Sequence, residues 1–264
     1  MSPAKDPAVA LPRTRKQRKR LKRKVKIKAK RRAQKKKNLK EKENVTPLVK
    51  KYWLQRYDLF SKYDVGIKLD EEGWFSVTPE EIAAWQARRC AGAGVVIDAF
   101  AGVGGNAIQF AKVRNSVVNP LACRHVIAVE IDPHKVALAL HNAKIYGVQD
   151  HIDFIVGDFF QLAPFLKNGY FTNHASSQAF SGTVVEAECI KPKCRAILCR
   201  YSLFKVAQAI TPNIIMYLPR NIDVLQASEL SWLSSPPLDI EVEENFVRGY
   251  SKGITIYFGD TAFS

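Results

Sequence analysis

No apolar run in the 264 residues reaches the roughly 18 that a membrane-crossing helix needs, and the N-terminus lacks the apolar core and small-residue cleavage pattern of a secretory leader. Both absences lead us to expect a soluble, intracellular protein with no membrane partner. Cysteine is scarce and odd in number, five in all, which suits a reducing compartment better than a disulfide framework. Acids are outnumbered by basic residues, 25 against 41, yet that shortage is local. Residues 1–43 hold 20 Lys and Arg against 3 acids, and the remainder holds 21 against 22, so the net charge of +16 comes from the N-terminal stretch.

That stretch, with its run RTRKQRKRLKRKVKIKAKRRAQKKK, has too little apolar content to bury and repels itself. Residues 1–46 are therefore expected to form a disordered basic tail when isolated. Its functional reading is a nuclear or nucleolar address, with contacts to RNA or to the nuclear import machinery, the RNA contact weakening with salt. A solubilising extension is the plainer alternative.

The rest of the chain is long enough for a substantial core, and one domain behind a tail is the natural count. It is organised around Val95-Val96-Ile97-Asp98-Ala99-Phe100-Ala101-Gly102-Val103-Gly104-Gly105-Asn106. Val95 to Ile97 read as a strand buried on both faces, and Ala107 to Lys112 as the helix that follows. Gly102 and Gly104 can adopt backbone angles closed to other residues and bring main-chain N–H groups to a ligand, while Gly105 allows close helix packing. A tight turn with no ligand is the alternative to this nucleotide-type loop.

Two more strands follow the same pattern. Val126 to Val129 ends in Glu130-Ile131-Asp132-Pro133, and Ile152 to Val156 ends in Gly157-Asp158-Phe159. In a doubly wound sheet the three strand ends open onto one crevice, where a carboxylate can accept both hydroxyls of a ribose. Asp98, Glu130 and Asp158 then line one pocket, unless they are merely surface acids at helix starts. An acid ahead of the first glycine and acids at all three tips suit a cationic ligand without a pyrophosphate. S-adenosylmethionine fits: amino group and sulfonium near Asp98, ribose on Glu130, adenine amine near Asp158.

Upstream, Lys50 to Ser61 reads as an amphipathic helix with Trp53, Tyr57 and Phe60 sharing a face. Core packing and stacking on a positively charged base, with help from Phe75, are both open. Gly73 to Val77 reads as short and extended. Thr78-Pro79-Glu80-Glu81 reads as a helix start, with Thr78 as N-cap, Pro79 in first position and Glu81 closing a capping box. Residues 47–90 form a short helical extension and 91–264 the main domain.

The strings KYWLQRYDLFSKYDVGIKLDEEGWFSVTPEEIA, VVIDAFAGVGGNAIQFA, VIAVEIDPHKVALALHNAKIYGV, FIVGDFF and IIMYLPRN closely resemble the trimethylguanosine synthase family of RNA cap guanine-N2 methyltransferases. The resemblance implies a Rossmann-like class I S-adenosylmethionine-dependent methyltransferase, an α/β fold with a terminal antiparallel hairpin and a short helical N-terminal extension. It implies two successive methyl transfers to the exocyclic N2 of the 7-methylguanosine cap of small nuclear and nucleolar RNAs. By position it implies cofactor contacts at Thr78, Asp98, Gly102, Asn106, Glu130, Asp158 and Phe159, alongside the Gly104 already read from the turn. It implies cap or RNA contacts at Lys51, Phe60, Phe75, Asn142 and Arg220. A cationic 7-methylguanine stacks on aromatic rings and lysine or arginine meets cap phosphates, although Arg220 also suits a structural ion pair.

Two departures from the family stand out. Val113 to Ala122 lengthens the connection between the first helix and the second strand, which a surface loop absorbs. More seriously, the family's fourth strand and its Ser-Pro-Pro-Trp-Gly-Gly-Pro acceptor loop are not found after Leu166, and Ser234-Ser235-Pro236-Pro237 is no substitute. Residues 168–200 read as an aberrant segment without clear period, foreign to the family, and the pattern resumes at Tyr201. Cys189, Cys194 and Cys199 are spaced only marginally for zinc and lack a fourth ligand, so free thiols are expected and no metal. Ile214 to Asn221 reads as the fifth strand with Arg220 at its functional end; Leu238 to Val247 and Ile254 to Phe258 read as the hairpin. No catalytic residue is assigned, because the loop that would carry it is absent. The expectation is a monomeric nuclear cap hypermethylase with an intact cofactor half. A catalytically inactive protein that still binds S-adenosylmethionine or capped RNA is the alternative, and a different acceptor fits less well because Lys51, Phe60, Phe75 and Arg220 are retained.

Overall fold

The structure is a computed structural model describing residues 15–16, 19–20, 22–29, 46–90, 92–113, 125–167, 184–188 and 197–263. Two compact units are distinguished, Met1–Trp53 and Leu54–Ser264. Within the first, residues 22–29 are helical, in place of the disorder expected there, and every one of them is exposed. The remainder of the 1–46 tail lies largely outside the described residues. So does the lengthened connection, at 114–124.

The second unit is built on a seven-stranded sheet in the order β3-β2-β1-β4-β5-β7-β6. Its strands are β1 (Val95–Asp98), β2 (His125–Glu130), β3 (Ile152–Val156), β4 (Val184–Glu188), β5 (Ile214–Pro219), β6 (Ile240–Val247) and β7 (Tyr250–Phe258). β1 to β5 are parallel, and β7 runs antiparallel between β5 and β6. Every residue of β1 is buried, as befits an apolar run covered on both faces. Five helices and one short helical segment matter here: α1 (Glu80–Arg89), α2 (Gly105–Val113), α3 (Pro133–Tyr146), α4 (Phe159–Lys167), α5 (Ile197–Ile210) and α6 (Val224–Ser228).

Alternation along the strands divides the core. Val95, Ile97, Ile127, Val129, Val185, Ile214, Met216, Ile256 and Phe258 join Phe159, Leu166, Leu203 and Phe204 of α4 and α5 in one cluster. On the opposite face Ile82 of α1 packs with Tyr217 and Val247, and the buried Gln86 amide donates to Thr255 Oγ1 at 3.0 Å. The terminal hairpin turns over Arg248 and Gly249, both at positive φ (52° and 79°), a tighter reversal than the six-residue connection read from the sequence.

The segment 168–200 requires correction. Val184–Glu188 is the central strand: Val96, Ile97 and Asp98 pair with Val184, Val185 and Glu186, and Val185 to Glu188 pair with Ile214 to Tyr217 on the other side. α5 begins at Ile197, so the segment also supplies the first turn of that helix. The reason the strand was missed is compositional. Val-Val-Glu-Ala-Glu carries two acids in five residues and reads as surface, whereas in the sheet Glu186 is 1 % exposed. Cys189 and Cys194 lie outside the described residues.

Three upstream expectations also change. The single helix expected over 50–61 is two turns, Lys50–Trp53 and Arg56–Leu59. The extended reading of Gly73 to Val77 gives way to a helical turn, Gly73–Ser76, because Asp70 Oδ1 accepts the Gly73 N–H at 2.8 Å and holds the chain in a bend. The capping box does not form. Helix α1 starts one residue late, with Pro79 in the cap position and no side-chain cap, which frees the Thr78 hydroxyl for another use.

Candidate cofactor and acceptor site

The turn between β1 and α2 has Gly102 at φ 53° and Gly104 at φ 89°, conformations that L side chains resist. Gly104 also lets α3 approach: a Cβ there would lie 3.1 Å from the Ala139 Cβ and 3.3 Å from its Cα. Beside the turn lies a small pocket whose lining includes Ser76, Val77 and Thr78 together with Asp98, Phe100, Gly102 and Asn106. Four of the expected cofactor residues, Thr78, Asp98, Gly102 and Asn106, therefore share one wall system.

Asp98 is 1 % exposed and its Oδ2 accepts the Ala107 N–H at 3.0 Å, so the carboxylate sits on the N-terminus of α2. Glu130 does not line the cavity but stands behind the turn. Its Oε2 accepts the Gly102 N–H at 2.9 Å and its Oε1 the Asp132 N–H at 3.0 Å, which fixes both the carboxylate and the loop. Asp158 caps α4 through the Phe160 N–H at 2.9 Å, and the Gly157 N–H donates to the Glu130 carbonyl at 3.0 Å, tying the third strand tip to the second. Phe159 is buried in the core with its ring 5.9 Å from that of Phe100, while Phe160 next to it is 37 % exposed.

Thr78 is the informative member. Its residue is 1 % exposed and its Oγ1 has no hydrogen-bond partner among the described residues, although a buried hydroxyl left unpaired is costly. A hydroxyl held in that condition in a pocket that a buried carboxylate also lines fits a polar ligand bearing both donor groups and positive charge. Asn106 is steadied from behind, its Nδ2 donating to Gln86 Oε1 at 3.2 Å. The donors and acids present thus fit S-adenosylmethionine.

The expected cap residues are not gathered in the same way. Phe75 is 38 % exposed, three residues before Thr78, and Arg220 is exposed at the C-terminal end of β5 with no ion pair to any described residue. Lys51 belongs to the first unit, its Nζ 4.7 Å from the centroid of the Tyr52 ring. Two residues are corrected. Phe60 is 1 % exposed and packs its ring 6.3 Å from Tyr146, so the aromatic stripe serves the core at this position. Asn142 is fully buried: its Nδ2 donates to the Lys68 and Val103 carbonyls at 2.9 and 3.0 Å, and its Oδ1 accepts the Lys68 N–H at 2.9 Å. Its amide is engaged by those backbone groups within the protein, leaving it a structural clamp.

Sequence reasoning missed Glu80. Its carboxylate accepts from Tyr146 Oη at 2.7 Å, Ser61 Oγ at 3.1 Å and Lys112 Nζ at 3.2 Å, joining the extension to α2 and α3. Burial acts to raise the Glu80 pKa, but the Ser61 N–H, the Tyr146 and Ser61 hydroxyls and the Lys112 charge together bring it below its ordinary value. Burial, and then the same carboxylate, push the Tyr146 hydroxyl up. Nothing local marks Glu80 over Glu81, since the choice is made by residues 19 to 66 positions away.

A parallel five-strand sheet finished by an antiparallel hairpin, with acids at the strand tips around a glycine turn, defines an S-adenosylmethionine-dependent methyltransferase of Rossmann type. A methyltransferase structure from Porphyromonas gingivalis W83, itself described as putative in function, shares that fold at a TM-score of 0.55 and 14 % identity, over 79 % of this chain and 48 % of that one. The description of the RNA cap guanine-N2 methyltransferase family matches residues 93–190 and 191–261, and the chain belongs to that family. Trimethylguanosine synthase of Schizosaccharomyces pombe is 36 % identical over 226 residues, 81 % of this chain and 87 % of that protein. The Saccharomyces cerevisiae trimethylguanosine synthase is 31 % identical over 241 residues, 81 % of this chain and 68 % of that protein. The family match runs through residues 168–200, with its division between 190 and 191, so the expectation that this segment is foreign to the family is corrected.

Proposed function

We propose that this chain transfers methyl groups from S-adenosylmethionine to the exocyclic N2 of the 7-methylguanosine cap of small nuclear and nucleolar RNAs, giving 2,2,7-trimethylguanosine. The observation that carries the cofactor half of this reading is the pocket whose lining includes both the Thr78 hydroxyl, unpartnered among the described residues, and Asp98. Family membership carries the acceptor half. When bound, S-adenosylmethionine supplies a methyl group made electrophilic by its sulfonium. Asp98 offers the counter-charge, Gly102 and Glu130 shape the ribose side, and Asp158 bounds the adenine side, with Phe159 supporting it from the core. Phe75 stacks on the methylated base and Arg220 meets the cap phosphates. Acceleration comes chiefly from holding the amine in line with the methyl.

The basic tail adds a sequence-independent hold on RNA and a nuclear, including nucleolar, address, and the chain works as a monomer. A second reading is favoured by the missing Ser-Pro-Pro-Trp motif: a protein that binds S-adenosylmethionine or capped RNA without transferring methyl. Incubating the purified chain with 7-methylguanosine-capped RNA and methyl-labelled cofactor decides between them. Label in the cap is expected; cofactor binding with no label in the RNA would establish the second reading.

A further inference from the structure

One wall of the cavity, Ser76 to Thr78, is not part of the sheet or its turns. It is the end of a strap, residues 66–78, that crosses α3 before entering α1. α3 grips this strap at successive points. A ring nitrogen of His141 is 2.9 Å from the Gly66 carbonyl, and Asn142 brackets both backbone groups of Lys68. Lys135, on the first turn of α3, reaches Asp70 Oδ2 at 2.7 Å and Glu72 Oε2 at 3.0 Å.

Of these three contacts only the last is ionic, and only it lies at the cavity end. The Lys135 residue is 5 % exposed, so its ammonium has left water, which is tolerable only while both carboxylates are in place. Asp70 does double duty, since its other oxygen accepts the Gly73 N–H. Gly73 in turn touches the glycine loop: a Cβ there would lie 3.1 Å from Val103 Cγ1. Val77 presses on the start of α2, its Cγ2 2.5 Å from where a Gly105 Cβ would stand. A shift of the strap at residues 70–72 is thereby passed to Thr78.

We propose that Lys135 is a positioning residue for the cofactor pocket, pinning the strap through Asp70 and Glu72 so that Thr78 is held against the glycine turn. Lys135 touches no ligand itself. The inference rests on the reading of this cavity as the S-adenosylmethionine site. The shifts of both partners agree with the geometry: burial is outweighed by the ion pair, which lowers Asp70 and raises Lys135.

If removing the charge leaves the strap docked in about one molecule in ten, apparent cofactor affinity falls about tenfold. The test uses the full chain carrying Lys135→Met, with Asp70→Asn as a milder variant that keeps the Lys135–Glu72 pair. Titration calorimetry with S-adenosylmethionine should show about a tenfold weaker Kd for the first and a smaller loss for the second. Hydrogen exchange should quicken at residues 66–78 and stay unchanged in β1, β2 and β5. In turnover assays the KM for S-adenosylmethionine should rise while the KM for capped RNA holds. Unchanged exchange in the strap of a folded Lys135→Met protein overturns the proposal, as does unchanged affinity. Should the unaltered chain bind no cofactor, the cavity reading fails, and the exchange experiment alone then decides whether the lock exists. Should Lys135→Met not fold, the same two readouts on Asp70→Asn decide.

Discussion

On one side of β1 the sheet runs through β2 to β3, and on the other through β4 to β5, with a functional end at each strand tip. The first side repeats a single local device, an apolar strand followed at once by an acid and a turn, at Asp98, Glu130 and Asp158. On the second side β4 also ends in an acid, Glu188, but its run is broken by Glu186, and β5 ends at Pro219 followed by Arg220. Its central strand contains a buried glutamate, and its tip residue Arg220 is exposed. The contrast teaches that the strand-then-acid tips of the first side are encoded in short contiguous stretches, while β4 is recognised as a strand only through its pairing with β1 and β5 in the completed sheet.

The sharpest way to break that comparison is to challenge β4. Val185 is completely buried, pairs with Ile97 and Ile214, and belongs to the principal core cluster. Val185→Asp places an unpaired charge there, which should abolish folding outright, read as loss of the soluble, cooperatively melting protein. If the variant melts like the unaltered chain, β4 is not central and the acceptor side lacks a strand. Val185→Ala is the graded version, with an expected cost of roughly 2 kcal/mol.

On the cofactor side the largest effect belongs to Asp98. Asp98→Ala removes a buried carboxylate from the cavity wall and from the Ala107 N–H, so cofactor affinity should fall about 100-fold, or ~2.7 kcal/mol, with about 1 kcal/mol of helix-cap stability lost as well. Calorimetry with S-adenosylmethionine measures the first and thermal melting the second. Equal affinity in a folded variant would remove the acids from the argument altogether.

Asn142 separates a clamp from a contact. With its three hydrogen bonds to Lys68 and Val103, Asn142→Ala should cost about 2 kcal/mol of stability and loosen cofactor binding. A direct role at the cap predicts instead a raised KM for capped RNA at unchanged melting temperature. Arg220→Ala and Phe75→Ala, both at exposed positions, should behave in the second manner, each weakening capped RNA by about tenfold with cofactor affinity intact.

Much of the fold was legible because periodicity and punctuation are local. Asp132 caps α3 by accepting the His134 N–H, Pro133 opens it and Gly147 closes it at φ 75°, all as residue types suggest. The glycine turn and the acid at each tip were legible for the same reason. Thr78 was placed in the site only through family resemblance, and its local reading as an N-cap proved wrong by a single residue. Lys135 was invisible because its partners lie 65 and 63 positions earlier, and a lysine on a helix reads as a solvated face until the strap is known to cover it. Phe60 and Asn142 show the converse: family resemblance suggested recognition, and burial assigned them to the interior.

The mildest prediction concerns acid, and it follows from which groups are displaced in the strap. The Asp70 carboxyl lies below its ordinary 3.8: burial alone would raise it, but the Lys135 hydrogen bond, the Gly73 N–H and the Lys135 charge more than offset that. A carboxyl depressed by folding contributes stability that is present above its unfolded pKa and disappears as pH falls through the folded one. Lys135, raised above its ordinary 10.5, contributes stability that is complete below that value and is lost only as pH climbs through the folded one. Between these limits the lock is fully charged. The melting-temperature gap between the unaltered chain and Asp70→Asn should therefore be flat from pH 5 to 9, then close as the pH falls below about 3.8, where protonated aspartate becomes equivalent to the amide. A gap that widens in acid would mean that Asp70 stabilises the strap through its protonated form, and the ionic account of the lock would fail.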